Sequence, residues 1–323
     1  MRISTVPLTA DNVHLCAPLW GGRETLPPGA VQGAIRVAAD LLSTDRARGR
    51  LFIDDDGVVC AFGCSAFVTR TCADAIVAQP TQSFGTHLLL DASVQRLVLD
   101  ARGVEHANAD GGVDLLVVAQ GYALRGGVSE GGEFASILGA MMHAFVDTHR
   151  GYNIVRIVNE VFGEEGMAAI TSAAAGGLDV RARCETRLPS GAPLRSLCWT
   201  LTRDGAKQHA SLLLPMFLYT PPRLRFTPAE QALLRSALRG HTDRQSSERL
   251  GVPLTAVKAR WTRIQARVAN ELPALATRAP SSLQPASRGN QSRQSILEYV
   301  RDHPSELTPY RRAGATTRPG RGQ

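Results

Sequence analysis

Residues 226–268 read FTPAEQALLRSALRGHTDRQSSERLGVPLTAVKARWTRIQARV, three short helical patterns separated by two breaks, and few folds accept that arrangement. The first helix is expected from about Pro228 to Leu238. Thr227 stands at its N-cap, Pro228 at the first helical position, and Glu230 three residues after the cap. Leu233, Leu234 and Leu238 form its apolar face, and Gly240 ends it. The second helix is expected over Asp243–Leu250, capped by Thr242 and stopped by Gly251. The third starts near Leu254, after Val252-Pro253, and runs to about Asn270. Two short helices joined by a tight Gly-containing turn, with a helix in front, make the helix-turn-helix pattern, whose last helix enters the DNA major groove. At about 100° per residue, Val257, Trp261, Ile264 and Val268 fall on one stripe of that helix. Lys258, Ala259, Thr262, Arg263 and Ala266 fall opposite. Small residues let a helix approach base edges, and Lys and Arg pair with guanine acceptors and phosphates. Arg260 and Arg267 flank that face, where a phosphate is in reach. The expected DNA contacts are therefore Thr242, Lys258, Ala259, Arg260, Thr262, Arg263 and Arg267. A basic three-helix unit with no partner is the plainer alternative; caps, breaks and charge placement together favour the first.

The same stretch resembles the LuxR-type (GerE) DNA-binding domain of bacterial transcription regulators. The residues that carry the resemblance are Phe226-Thr227-Pro228, Glu230, Leu233-Leu234, Gly240, Glu248-Arg249-Leu250-Gly251-Val252, Val257-Lys258, Ile264 and Arg267-Val268, within roughly 45 of the 323 residues. The resemblance implies base contacts from Lys258, Ala259 and Thr262, with Arg260 and Arg263 beside them, and binding as a dimer to a two-fold DNA site. This chain departs from the family at Ser246 and Ser247, where an aliphatic residue and Ala are usual, at Arg260, often His, and at Ala232, often acidic. A serine at a packing position needs a partner for its hydroxyl if it is buried.

Charge divides the chain in the same place. From Pro221 onward there are 18 Lys and Arg against 7 Asp and Glu, a net of +11, whereas residues 1–220 carry −4. A basic C-terminal third on an acidic remainder is the footprint of a nucleic-acid-binding module attached to something else. The six cysteines form no Cys-x2-Cys pair, the N-terminus has no secretory pattern, and no stretch approaches the roughly 20 apolar residues that span a bilayer. A cytoplasmic protein with reduced thiols and no membrane partner is expected.

Residues 1–220 alternate helix and strand signals. Residues 31–49 read as a helix. A hairpin follows, with strands Leu51–Ile53 and Val58–Val68 about the turn Asp54–Gly57. A short helix is expected at 71–79. Strands are expected at Thr86–Leu90, Gln95–Asp100 and Gly112–Val118, then helices at Glu133–His149 and Tyr152–Phe162. Met167–Ala175 reads as helix, and Leu178–Ala182, Leu197–Thr202 and Ala210–Leu218 as strands. Gly126, Gly127, Gly131 and Gly132 surround a polar loop, but no Lys-Ser/Thr follows as a P-loop needs. No zinc spacing, His-Glu-x-x-His or Gly-x-Ser-x-Gly elbow is present, so no catalytic residue, metal or cofactor is expected.

The expected protein has an α+β N-terminal domain, a mixed sheet with helices (1–220), sensing a small-molecule or protein signal. An all-α helix-turn-helix domain (221–272) follows, then a flexible basic tail (273–323) with one short helix near 295–302. The expected function is DNA-binding transcription regulation without enzymatic activity, the partner being double-stranded DNA bound by a homodimer. One rival is an acetyltransferase-like enzyme recruited by the basic C-terminal module. It would show an Arg/Gln-x-x-Gly-x-Gly phosphate turn between strand and helix, which the sequence lacks. The other is a protein-interaction module with a degenerate helix-turn-helix.

Overall fold

The computed structural model describes residues 2–124, 131–188, 190–277 and 288–310. The chain divides into a sheet unit, residues 1–218, and a helical unit, residues 219–323.

One sheet of seven strands organises the first unit, in the order β1-β2-β3-β4-β5-β7-β6. The strands are β1 (Ser4–Pro7), β2 (Ala47–Ile53), β3 (Val59–Val68), β4 (Val113–Tyr122), β5 (Ile154–Phe162), β6 (Asp179–Arg187) and β7 (Pro193–Thr202). Every neighbouring pair is antiparallel except β4 and β5. Between strands lie helices α1 (Ala30–Ser43), α2 (Arg70–Ala78), α3 (Phe84–Leu90), α4 (Ala92–Gln95), α5 (Ala101–Ala109), α6 (Gly131–His149), α7 (Glu164–Ala173), α8 (Arg203–Gln208) and α9 (Leu214–Phe217). The α+β reading of this unit holds as a mixed sheet with helices. One face of the sheet buries Leu51, Phe62, Cys64, Leu116 and Val118 against α1, α3 and the segment Val13–Leu19. On the other, Leu115, Ile157, Leu197, Trp199 and Leu201 pack with Leu213, Met216 and Phe217.

The β2–β3 turn forms for the reason its composition suggests. Asp54 Oδ1 accepts from the N–H groups of Asp56 and Val58, and Gly57 takes φ 78°, which favours glycine. Elsewhere the tertiary structure overrides local pattern. The expected helix at 152–162 is the interior strand β5, because Ile154, Val155, Ile157, Val158 and Val161 are β-branched and the strand is covered on both faces. The expected strand at 86–90 is helix α3, and 210–218 ends in the short helix α9.

The parallel pair is short. β4 and β5 pair at Val113↔Ile154, Asp114↔Arg156, Leu115↔Ile157 and Leu116↔Val158, then part. Beyond that point, β4 pairs only with β3 and β5 only with β7 among the strands. The register of β3 against β4 slips there, with Ser65 opposite Val117 and Cys64 opposite Ala119, so Val118 is an extra residue. A bulge bends the strand that carries it, which turns β4 away from β5. Gly85 of α3 lies so close to the Val118 backbone that a Cβ there would overlap it.

The second unit holds α10 (Pro228–Leu238), α11 (Asp243–Leu250), α12 (Leu254–Glu271), α13 (Pro273–Thr277) and α14 (Arg288–Asp302). Thr227 with Glu230, and Thr242 with Gln245, form reciprocal capping boxes. Val257, Trp261, Ile264 and Val268 are buried with Leu233, Leu234, Ile296 and Val300. Within the expected tail, the short helix near 295–302 is present as part of the longer α14. Ile296 and Val300 enter the core, and Glu306 is 1% exposed. Residues 278–287 and 311–323 of that tail lie outside the described residues.

Candidate active site

The separation of β4 from β5 opens a cleft and sets its chemistry. The cleft, of about 390 Å³, runs along the C-terminal halves of both strands, between Gln120, Tyr122, Val161 and Phe162 of the sheet, Phe134 and Met141 of α6, and Gly166 of α7. An inner chamber of about 110 Å³ adjoins it under α6 and shares Gln120, Leu138, Met141, Val161 and Ile170 with it. Its walls are overwhelmingly apolar. A small third hollow lies against Ser83, Phe84 and Glu160.

Chain segments bridge the parted strands. The Gln120 side chain donates through Nε2 to the Glu160 carbonyl at 2.7 Å, and the Gln120 carbonyl accepts from Gly21 N–H at 3.0 Å. Trp20 donates its indole N–H to Thr86 Oγ1 at 2.9 Å, which fixes the strap Trp20–Gly22 beside the cleft. Glycine is required at both contacts. A Cβ on Gly121 would overlap the Leu19 carbonyl, and one on Gly21 would press on Phe162 and Gln120.

Glu160 lies on β5 two residues past the last pair with β4, and is 7% exposed. Its Oε1 accepts from Ser83 N–H at 3.0 Å. Burial raises its carboxyl to about 7, against the Ser83 and Phe84 N–H groups that favour the ionised form. A carboxyl that titrates near neutrality beside a cleft is suited to proton transfer. Tyr122, also lining the cleft, is held protonated by burial and by the charge of Glu165.

On the chamber side, His149 is 1% exposed. Its Nδ1 lies 2.8 Å from the Phe145 carbonyl, which only accepts, so Nδ1 carries the proton and Nε2 accepts from the Ser65 hydroxyl at 2.6 Å. Burial depresses its pKa to about 3, and Arg48 and Arg50 add to the depression.

The residues expected to touch DNA are distributed differently. Lys258, Ala259, Thr262 and Arg263 lie exposed on one face of α12, and Arg260 is half-buried. Thr242 is occupied as the N-cap of α11. Arg267 donates to the buried Glu230 carboxylate at 3.3 Å and to the Arg225 carbonyl at 3.4 Å, which makes it an internal tie. Ser246 is buried and bonds Ser236 Oγ at 2.9 Å, and Ser247 donates to the Val252 carbonyl, so both departures from the family pattern have partners.

Sequence reasoning missed Gln120, Asn159, Glu160 and Trp199, which line or face the parted strands. The available signal was the polar pair Asn159-Glu160 inside a β-branched apolar run. The glycine loop is only partly visible, because Gly126 and Gly127 lie outside the described residues.

No family model and no curated protein matches the chain. Solved structures similar to it include acetyltransferases. One is Arabidopsis thaliana NAA60 in complex with acetyl-CoA, at 10% identity and TM-score 0.36 over 63% of this chain and 99% of that one. A second is a phosphinothricin acetyltransferase from Sinorhizobium meliloti in complex with AcCoA, at 10% identity and TM-score 0.34 over 62% and 89%. A third is the spermidine/spermine N-acetyltransferase SpeG from Vibrio cholerae, at 8% identity and TM-score 0.33 over 64% and 95%. The expectation of a non-enzymatic, LuxR-family transcription regulator bound to DNA as a dimer is corrected on the geometry of the molecule itself. The cleft, and a near-neutral carboxyl in the small hollow that shares Trp20, Gly21, Gln120 and Phe162 with it, belong to the sheet unit, while Thr242 and Arg267 are consumed inside the helical one. Among the described residues, no helix is long and apolar enough to cross a membrane, and no cluster of metal-ligating side chains occurs.

Proposed function

We propose that the sheet unit is an acyltransferase that moves an acyl group from a thioester to an amine in the cleft between β4 and β5. The observation that carries this reading is the parted parallel pair: four residue pairs, a bulge at Val118, and then a cleft with an apolar inner chamber. An elongated ligand lies along such a cleft as a strand would. The donor implied is an acyl-coenzyme A, and the residues fit its acyl end. The chamber holds two orphaned buried polar atoms, Asn159 Oδ1 and Trp199 Nε1, and its walls otherwise suit a chain of carbons. Arg23 stands at the cleft rim, where its guanidinium can meet the phosphate end. The basic helical unit is the recruiting module.

Acyl-coenzyme A, when bound, supplies the thioester carbonyl. Glu160, in the small hollow that shares Trp20, Gly21, Gln120 and Phe162 with the cleft, takes the proton from an acceptor amine placed at that junction as its nitrogen bonds to the acyl carbon. The carbon–sulfur bond breaks, and Glu160 returns the proton to the departing thiolate. The apolar walls exclude water, which would otherwise compete as the acceptor.

Thiol release with acetyl-coenzyme A and a panel of amines tests the reading. Because Glu160 acts ionised and titrates near 7, kcat/KM should rise tenfold per pH unit below that value and level off above it. Glu160→Gln keeps an acceptor for the Ser83 N–H and should lower the plateau by about 10²–10⁴. A flat profile in the wild type, or no thiol release with any amine, overturns the proposal. Gly166 lines the cleft, and a Cβ there makes only ordinary contacts. Gly166→Leu should therefore fill the cleft and abolish acetyl-coenzyme A binding in calorimetry while the thermal midpoint stays within a few degrees of wild type.

A further inference from the structure

The inner chamber is larger than an acetyl group requires, and its far wall is polar. Asn159 on β5 stands directly opposite Trp199 on β7. Directly opposed residues on neighbouring strands present their side chains to the same face. Both line the chamber, at 7% and 4% exposure, and neither Asn159 Oδ1 nor Trp199 Nε1 has a hydrogen-bond partner. Buried polar atoms of folded proteins are otherwise almost all paired, so an orphaned acceptor beside an orphaned donor calls for a group that serves both. A hydroxyl does: it donates to the amide oxygen and accepts from the indole N–H. Leu138, Met141, Met142, Phe145, Ile170 and Leu213 give the lining its apolar part, with methionines that adapt to a chain's shape. Arg50, Ser65, Gln120, Thr148 and His149 also line it, and each already holds a hydrogen bond to another residue. The imidazole of His149 is neutral, so it brings no charge to the wall. A cavity of about 150 Å³ takes a benzene ring, so 110 Å³ takes about four or five non-hydrogen atoms.

We infer that this chamber is the acyl-chain pocket of the enzyme and selects a short hydroxyacyl group of about four or five carbons, its hydroxyl held between Asn159 and Trp199. The inference rests on the acyltransferase reading, because the chamber opens through residues shared with the cleft. It assigns Asn159 and Trp199 as specificity-determining residues for the donor.

The test is equilibrium binding of the full chain to coenzyme A, acetyl-, butyryl-, hexanoyl-, 3-hydroxybutyryl- and 3-hydroxyhexanoyl-coenzyme A. Two methylenes moved from water into the chamber should tighten butyryl over acetyl about tenfold. The better hydroxyacyl ligand should bind several-fold more tightly than its unsubstituted counterpart. Trp199→Phe removes the N–H and keeps an aromatic ring, so it should erase the hydroxyl advantage while the chain-length preference survives. Met142→Trp should fill the chamber and erase the chain-length preference while coenzyme A still binds. Equal affinity for acetyl and longer acyl groups overturns the inference and leaves the acyltransferase reading standing, as does a wild type indifferent to the hydroxyl. Failure of coenzyme A and every thioester to bind removes the underlying reading instead.

Discussion

Lowering the pH from 7 to 4 should cost the sheet unit about 3 kcal/mol through His149 alone, since each unit of pH between the two pKa values is worth about 1.4 kcal/mol. The sign follows from which state takes the proton. In the unfolded chain this imidazole binds one as the pH falls through about 6.5. In the folded protein, burial, with Arg48 and Arg50 nearby, holds its pKa at about 3. Protons therefore bind the unfolded state preferentially over that window, and stability is lost as the pH falls through it. Glu160 acts in the opposite direction, because its folded pKa is raised and its contribution grows as the pH falls below about 7. The measurement must isolate one group from the other, so the comparison is between the wild type and His149→Gln, by urea unfolding at pH 7, 5.5 and 4. Wild-type stability minus variant stability should shrink steadily with acid. A constant difference would mean that His149 is solvated or already charged in the folded protein.

His149 also shows where sequence stops being informative. As a letter in a helix it has an ordinary role, and only the fold sets it against Ser65, 84 residues away in sequence. The helical unit was far more legible. Its caps, glycine stops and 3.6-residue apolar stripe are local devices, and α10, α11 and α12 start and end within about two residues of where these place them. The basic outer face of α12 was equally legible as a pattern, but pattern alone also chose Thr242 and Arg267 as contacts, and packing shows both taken up inside the unit. In the sheet unit the hairpin around Asp54–Gly57 and the long helix α6 could be read, because turn chemistry and a broad apolar stripe are local too. The site could not. It arises where a parallel pair ends, from strands that approach across 30 or more residues, and the residue run that builds one of its walls, 154–162, fits a helical stripe almost as well as a strand. The tail divides in the same way: Ile296, Leu297, Tyr299 and Val300 made its short helix legible, but its anchoring was not. Ser, Pro and Arg dominate its composition, whereas its anchoring depends on one carboxylate finding buried partners.

That carboxylate is Glu306, and replacing it with Ala should destabilise the helical unit by about 3–5 kcal/mol, the range for removing one member of a buried charged hydrogen-bond set. Glu306 accepts from the N–H groups of Arg223 at 2.8 Å and Leu224 at 3.0 Å, and from the Tyr299 hydroxyl at 3.3 Å. Of these donors the Leu224 N–H is the buried one, on a residue 1% exposed. The same short segment is bound through its backbone, with Gln231 donating to the Glu306 and Thr308 carbonyls and Arg235 to Leu307. Losing the carboxylate should therefore release residues 304–308 and with them the cover over Leu233 and Leu234. Glu306→Gln keeps one acceptor oxygen and should cost less than half as much. Hydrogen exchange on the full chain reads this directly: amides of α10 and α14 should lose protection in Glu306→Ala while those of the β3–β4 ladder keep theirs. If α10 exchanges as in the wild type, the segment is not what anchors it, and the stability of this unit lies in the contacts among α10, α11 and α12 alone.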